Sequence, residues 1–299
     1  MLKILLTGSS GFLGKNIVSD LRQNYIVSEL DLSASSSIQC NLAKSKPELS
    51  ENFNIVLHAA GKAHSIPQNQ SEIKDFFDVN YQGTVNLCKA LEKSRLPNAF
   101  IFISTVAVYG IESGINITEE SPLNGTSPYA LSKIKAEEYL TNWSHKNNVT
   151  LTILRPSLIA GPNPPGNLGT MIQGIKNGKY LSINGGKSRK SVLMVQDIAN
   201  LVSLVAYKGG IYNVCDSEHP SFGDLEKLIC RQLNRRNVFS IPYLLIKPIA
   251  LIGDMWGDKF PINSKKLNKI TKSLTFSNEK ARTELNWTPL NVLENFKIQ

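Results

Sequence analysis

The chain predicts an α/β fold, a doubly wound parallel sheet with a smaller C-terminal lobe, on three observations. A glycine-punctuated turn joins a short apolar run to an amphipathic stretch at the start. Apolar runs and helical patterns then alternate as far as residue 160, and beyond Gly161 that regularity declines.

Leu2, Ile4, Leu5 and Leu6 form the first apolar run, and Phe12, Leu13, Ile17, Val18 and Leu21 recur at helical spacing. Between them, "TGSSGFLG" carries Gly8, Gly11 and Gly14. In such a unit Gly8 permits the tight turn, Gly11 lets a ligand approach the backbone, and Gly14 lets helix pack on strand. The free N–H groups of the helix start suit a dinucleotide's pyrophosphate, although glycines at a turn also serve packing alone. "YIVSELDL" reads as a second strand ending at Asp31, about twenty residues beyond the turn, where a Rossmann-type fold places a ribose-binding acid. "SASSSI" is a surface loop. Further strands lie at "NIVLHAAG", "AFIFIST" and "VTLTILRP", separated by helical patterns from about Ile73 to Lys93 and from Pro128 to about Lys146. "GPNPPGNLG" then opens the smaller lobe over the carboxyl ends of the strands, where ligands sit in open α/β sheets.

Composition narrows the function classes. With 299 residues, 41% hydrophobic and 19% charged, the chain is long enough for a full core and reads as an ordinary globular protein. No basic segment followed by an apolar one precedes the first strand, so a cytoplasmic location is expected. Cys40, Cys88, Cys215 and Cys230 are scattered, with no Cys-x-x-Cys pair and no histidines at ligand spacing; they read as buried free thiols, with no metal site. The formal charge of +9 is dispersed and no recognition motif accompanies it, so no nucleic-acid partner is expected. An anionic small molecule or a solvated surface accounts for it. "IPYLLIKPIALIG" is broken by Lys247 and Pro248 and falls short of the ~20 residues of a membrane span, which makes it a buried or interfacial helix.

"SPYALSKIKAEEYL" sets Tyr129 and Lys133 on one helical face, Cβ atoms about 5–6 Å apart. A free tyrosine titrates near ~10, and bringing it to ~7 requires about 4 kcal/mol. At an effective dielectric of ~20, an ammonium ~6 Å away supplies roughly 2.8 kcal/mol of that. Any helix offers such pairs, but "FISTVAVYG" adds Ser104 and Thr105 at the carboxyl end of a core strand.

Together "TGSSGFLG", Asp31, "HAAG", "VNYQGT", "ISTVAVYG", Tyr-x-x-x-Lys and "LRPSLIAGP" resemble the extended short-chain dehydrogenase/reductase family, in its nucleotide-sugar epimerase, dehydratase and reductase branch. The match runs in order over essentially the whole chain. It implies NAD held by Gly8, Gly11, Phe12, Leu13 and Gly14 at the pyrophosphate and by Asp31 at the adenosine ribose. Asn41 and Leu42 stand at the adenine edge, where the family usually has an Asp before an apolar residue. Ala59, Ala60, Gly61, Lys62, Asn80 and Pro156 line the same cofactor, and Thr105, Tyr129 and Lys133 form the catalytic triad. Tyr129 takes the proton of a sugar hydroxyl as hydride moves to nicotinamide, Thr105 holds the same oxygen, and Lys133 lowers the tyrosine pKa and binds the nicotinamide ribose. His58 reads as a packed strand residue.

Departures from the family pattern narrow the reaction. Val106 and Ala107 replace the Asp-Glu pair of dehydratases, which argues against a 4,6-dehydratase. Leu158 replaces an asparagine of many UDP-hexose epimerases, Val192, Leu193 and Met194 replace their aromatic-Ile-His triplet, and their late Arg-x-Gly-Asp contact is missing. Asn167, Arg189 and Lys190 resemble the diphosphate contacts, with a loop asparagine and two solvated cations as the alternative. The resemblance thus implies residues 1–160 as an NAD-binding Rossmann domain with a return segment near 190–215, and 161–299 mainly as a substrate-binding lobe. The expected enzyme is an NAD-dependent nucleotide-diphosphate-sugar 4-epimerase serving surface polysaccharide, its substrate a UDP-hexose or UDP-N-acetylhexosamine. An NAD(P)H-dependent 4-ketoreductase is the alternative, and a non-catalytic NAD-sensing scaffold the alternative of another class. A homodimer is expected through the helices around 73–93 and 128–146, with Phe76, Phe77 and Tyr139 as candidate contacts or as residues facing the chain's own sheet.

Overall fold

The computed structural model describes residues 1–63, 65–257 and 260–298. The first half alternates strand and helix: β1 (Leu2–Thr7), α1 (Phe12–Asn24), β2 (Tyr25–Asp31), β3 (Ile38–Gln39), β4 (Ile55–His58), α2 (Gln70–Phe77), α3 (Gly83–Lys93), β5 (Ala99–Ile103), β6 (Gly114–Ile117), α4 (Pro128–Asn147) and β7 (Thr150–Pro156). The remainder is shorter and more irregular: β8 (Leu158–Ala160), α5 (Gly166–Lys176), β9 (Ser182–Ile183), β10 (Val192–Met194), α6 (Val195–Val205), β11 (Gly210–Val214), α7 (Phe222–Gln232), β12 (Ser240–Ile241), α8 (Tyr243–Gly253), α9 (Ser264–Thr271), β13 (Leu274–Phe276), α10 (Glu279–Leu285) and α11 (Val292–Asn295).

Seven strands pair in parallel in the order β11-β7-β5-β4-β1-β2-β3. Both faces are covered, as the near-continuous apolar runs of β1, β4 and β5 require. One face packs Ile17 and Leu21 of α1 with Ile198, Leu201 and Val202 of α6. The other packs Leu87 and Leu91 of α3 with Leu140 and Trp143 of α4. Chain order reverses between β1 and β4, so the carboxyl ends of those two strands flank a crevice.

Three two-stranded sheets, β10-β8, β12-β9 and β13-β6, build the second lobe. The lobes are stitched together: β11 rejoins the main sheet, β13 pairs with β6, and Ala281, Leu285 and Trp287 enter the α1–α6 core. Two buried carboxylates tie the C-terminal segment down, Asp197 accepting from the Leu290 N–H and Asp216 from the Val292 N–H at 2.7 Å. The four cysteines are free thiols, Cys88, Cys215 and Cys230 buried and Cys40 half-buried.

The expected helix from Ile73 to Lys93 is wound as α2 and α3 around a π-helical turn, Asp78–Gln82. The widened turn carries Asn80, which is fully buried. Of the two places expected for Phe76, it takes the inner one: it is 1% exposed and lies 6.3 Å from the Tyr129 ring, inside its own chain. Phe77 carries the Lys135 ammonium 5.3 Å from its ring, and Tyr139 meets Tyr81 edge-on. Among the described residues no helix is long and apolar enough to cross a membrane. "IPYLLIKPIALIG" forms β12 and α8, and most of its apolar side chains are exposed.

Candidate active site

Gly8 sits at φ +75° directly after β1, and its N–H donates to the Leu30 carbonyl at 3.1 Å. A Cβ there would lie 2.7 Å from the Ala60 backbone. A Cβ on Gly14 would lie 2.3 Å from the Gly8 carbonyl, so Gly14 makes room for the turn itself, not for β1 as its spacing suggests. Gly11 differs, since its Cβ would meet only the Gly8 carbonyl, at 3.2 Å. No side chain caps α1 at Gly11, and the N–H groups of Phe12, Leu13 and Gly14 have no acceptor one turn back, which leaves them for an anion.

Asp31 closes the same turn. Its carboxylate accepts the Ser10 hydroxyl at 2.6 Å, the Ser10 N–H at 2.9 Å and the Leu32 N–H at 2.6 Å. Burial raises its pKa, but these hydrogen bonds outweigh burial and hold it below the ordinary carboxylate value. Nearby, the Asn41 carboxamide accepts from the Ala43 N–H at 3.1 Å, and Leu42 is buried with its carbonyl bonded to Asn86. A surface depression lined by Leu32, Ile38, Asn41 and Pro47 runs beside Asp31.

At the end of β4 a one-way relay of hydrogen bonds crosses the sheet edge. Ala60 N–H donates to Thr7 Oγ1, which then donates to His58 Nδ1; His58 Nε2–H donates to Thr84 Oγ1, and Thr84 donates to the Asn80 carbonyl. Burial, aided by the Lys133 charge, lowers the His58 pKa to about 3, so this histidine is a neutral staple. Asn80 continues the line: its amide donates to the Lys62 carbonyl and to Ser132 Oγ, and its oxygen accepts from the Lys62 N–H at 2.7 Å. Lys62 presents only its backbone here, its ammonium lying 2.7 Å from Asp75. A Cβ on Gly61 would lie 3.2 Å from Lys133 Nζ. Ala59, whose N–H donates to the Thr7 carbonyl, and Ala60 are half-buried beside it.

Thr105 caps the 3-10 turn Val106–Tyr109, its hydroxyl accepting from the Ala107 N–H at 3.1 Å. Ser127 caps α4 in the same way and Pro128 begins it, which sets Tyr129 on the first turn facing Thr105. Burial raises the Tyr129 pKa above its ordinary value, against a lowering by the Thr105 hydrogen bond. Lys133, one turn further along α4, reaches the end of β5. Its ammonium donates to the Ile103 carbonyl at 2.8 Å, 4.6 Å from the Phe102 ring. Burial, opposed by Glu137, brings its pKa down to about 8.

Beneath these residues lies a network that the motifs do not announce. Arg155 donates to Glu137, Ser104 Oγ donates to the same carboxylate, Arg155 Nη1 donates to the Tyr109 hydroxyl, and Tyr109 donates to Asn213 at 2.7 Å. Two signals in the sequence point toward it: an arginine inside the apolar strand run "TLTILRP", and a glutamate one turn after Lys133 on the buried face of its helix. Pro156 follows Arg155, buried where β7 ends beside Val214.

The residues expected at the substrate diphosphate lie farther out. Asn167 is exposed in the first turn of α5. The Arg189 guanidinium donates to the Glu218 and His219 carbonyls at 3.3 and 3.1 Å, and Lys190 donates to the Lys272 carbonyl at 2.9 Å. Val192, Leu193 and Met194 are buried in β10, paired with the half-buried Leu158 of β8 and its neighbours.

Comparison with known proteins gives a family and a shared fold. The family profile described as "NAD dependent epimerase/dehydratase family" matches residues 4–215. An N-acetyl-alpha-D-glucosaminyl-diphospho-ditrans,octacis-undecaprenol 4-epimerase of Escherichia coli O157:H7 is 28% identical over 94% of this chain and 88% of its own. A UDP-glucose 4-epimerase of Vibrio cholerae is 26% identical over 98% and 93%. The crystal structure of a UDP-glucose 4-epimerase with UDP-glucose from Thermotoga maritima shares the fold with a TM-score of 0.76, 20% identity, and coverage of 98% and 96%.

Proposed function

The chain belongs to the NAD dependent epimerase/dehydratase family, and from that premise we propose that it is an NAD-dependent 4-epimerase of nucleotide-diphosphate sugars, working through a transient 4-keto sugar. The observation that carries this reading is the hydrogen bond between Tyr129 and Thr105 past the carboxyl end of β5, with Lys133 of the same helix bonded to the Ile103 carbonyl there, in a chain that also has an uncapped helix start after β1 and an ionised Asp31. The residues fit NAD: Gly11 leaves open the place where a pyrophosphate meets the N–H groups of Phe12, Leu13 and Gly14, and Asp31 accepts a ribose hydroxyl but repels a 2′-phosphate. Ala59, Ala60, Gly61, the Lys62 backbone, Asn80 and Pro156 line the remainder, with Asn41 and Leu42 at the adenine edge.

Bound nicotinamide supplies reversible hydride acceptance, by which a C4 hydroxyl becomes a ketone and is restored. Tyr129 exchanges the proton of that hydroxyl, and Thr105 holds the same oxygen by hydrogen bond. Lys133 holds the nicotinamide ribose. Residues 1–160 with the return segment 190–215 bind the cofactor in this reading, and 161–299 hold the sugar, with Asn167, Arg189 and Lys190 swinging from their present partners to its diphosphate. The substrate is a UDP-hexose or UDP-N-acetylhexosamine used for polysaccharide. We place the enzyme in the cytoplasm as a homodimer pairing α2, α3 and α4 across a two-fold, with Phe77 and Tyr139 there and Phe76 withdrawn.

A 4-ketoreductase is the second reading: there the Tyr129 phenol, protonated at neutral pH as an ordinary tyrosine is, gives its proton to a 4-keto oxygen. Mass spectrometry of the small molecules carried through purification tests the premise of both. NAD with a nucleotide-diphosphate sugar supports it, and a preparation that neither carries nor binds NAD overturns it.

A further inference from the structure

Helix α8 inverts the usual pattern of a surface helix, whose outward face is polar. Its inner stripe is Ile246, Ala250 and Gly253, packed with Leu267 of α9; a Cβ on Gly253 would lie 2.1 Å from the Ile262 carbonyl. Outward stand Leu244, 79% exposed, then Leu245, Ile249, Leu251 and Ile252, continued past the helix by Met255, 81% exposed, and Trp256.

Charge around this face is one-sided. Residues 235–273 carry eight Lys and Arg against two Asp, six of the chain's nine net positive charges. Lys247 is exposed within α8 and Lys265 on α9, which packs against it, while Lys269 of α9 lies 3.4 Å from Glu112. Asp254 is drawn away, accepting the Ser264 N–H and hydroxyl at 2.8 and 2.6 Å. Leu and Trp side chains beside lysines are the composition of a helix lying in the plane of a membrane interface, too short to span it. A second copy of this chain is a poor occupant, because a two-fold contact would bring the exposed Lys247 and Lys265 toward their own copies. The far end of α9 is tied to the loop of the proposed diphosphate contacts, Ser188 donating to the Ile270 carbonyl and the Arg189 N–H to Ser273 Oγ.

We propose that the outer face of α8, with Met255 and Trp256, seats the C-terminal lobe on an anionic lipid surface. Apolar side chains enter the boundary between headgroups and acyl chains, while the lysines meet the headgroups.

Sedimentation of the full chain with vesicles tests this, using phosphatidylcholine alone or mixed with phosphatidylglycerol. Binding is expected to the mixed vesicles, weaker at raised salt. Tryptophan emission shifts to the blue on binding, a signal from Trp256, since Trp143 and Trp287 are each 4% exposed. Trp256→Phe removes the shift and keeps binding. The triple change Leu244→Ser, Leu245→Ser and Ile252→Ser abolishes binding with Tm and NAD affinity retained, and Lys247→Glu with Lys265→Glu weakens it on the order of tenfold. Absence of binding to both vesicle types, or undiminished binding by the serine variant, overturns the proposal. So does a dimer in solution that the serine changes split, which makes the face a contact between copies.

Discussion

Arg155 grips Glu137 through two hydrogen bonds, 2.6 Å from Nη2 and 3.2 Å from Nε, with both residues 3% exposed. The pair lies between Ser104 on one side and Tyr109 on the other. Removing one partner strands a buried charge. Arg155→Met is expected to lower stability by roughly 3–5 kcal/mol, and Arg155→Met with Glu137→Leu to recover most of it. Urea unfolding of the three proteins checks this, and equal losses in single and double variants would show that the site does not feel the charge.

Gly11 and Gly14 separate ligand approach from packing. Gly14→Ala drives a Cβ into the Gly8 carbonyl, 2.3 Å away, so a clear drop in Tm is expected. Gly11→Ala meets only one atom, at 3.2 Å, and should fold normally while binding NAD on the order of tenfold more weakly. Calorimetry and NAD titration read the two effects. Unchanged NAD affinity in Gly11→Ala would remove the pyrophosphate from the start of α1.

Asp31 serves the turn and, in the proposed function, the ribose. Asp31→Ala should narrow the preference for NADH over NADPH by on the order of tenfold. It should also cost about 1–3 kcal/mol, because Ser10 loses the acceptor of its N–H and hydroxyl. Tighter binding of NADPH than NADH by the unaltered protein contradicts the assignment.

Asp197 makes stability depend on pH. Burial, against hydrogen bonding from the Leu290 N–H, pushes its carboxyl from 3.8 up to about 7. Between those values the folded chain holds a proton that the unfolded chain has released, so stability is greatest below the unfolded value and falls as pH rises toward 7. Asp197→Asn keeps an acceptor for Leu290 and cannot ionise. Its Tm should vary less between pH 4 and 7, with a gain near neutrality of a few kcal/mol at most. An identical pH profile in the two proteins sinks this account.

What could be read in the residues was the short-range part. Gly8, Gly11, Gly14 and Asp31 lie within one strand–turn–helix–strand unit, where spacing alone dictates which groups meet, and Tyr129 and Lys133 share one helix turn. Arg155 escaped notice because its partners come from Glu137 on α4 and Tyr109 beyond β5. Only the order of the sheet brings these together. The direction of the Lys133 side chain is not set by the helix turn it shares with Tyr129, because the Ile103 carbonyl, thirty residues away, receives its ammonium. Phe76 reads equally as an outer or inner residue until the π-helical turn after α2 sets the helix path. The ammonium of Lys62 and the two cations at Arg189 and Lys190 are likewise directed by partners distant in sequence.

The central claim is that hydride leaves and returns to one sugar carbon without net use of cofactor. Incubating the protein with UDP-N-acetylglucosamine and a catalytic amount of NAD tests it most directly, with the C4 epimers followed by chromatography and reduced nicotinamide by its absorbance. The expected result is interconversion of the gluco and galacto epimers with no net NADH. Tyr129→Phe should slow this by about two orders of magnitude or more while the fold is kept. The contradicting result is stoichiometric oxidation of NADH or NADPH with a 4-keto-6-deoxy sugar nucleotide and no exchange of the epimers.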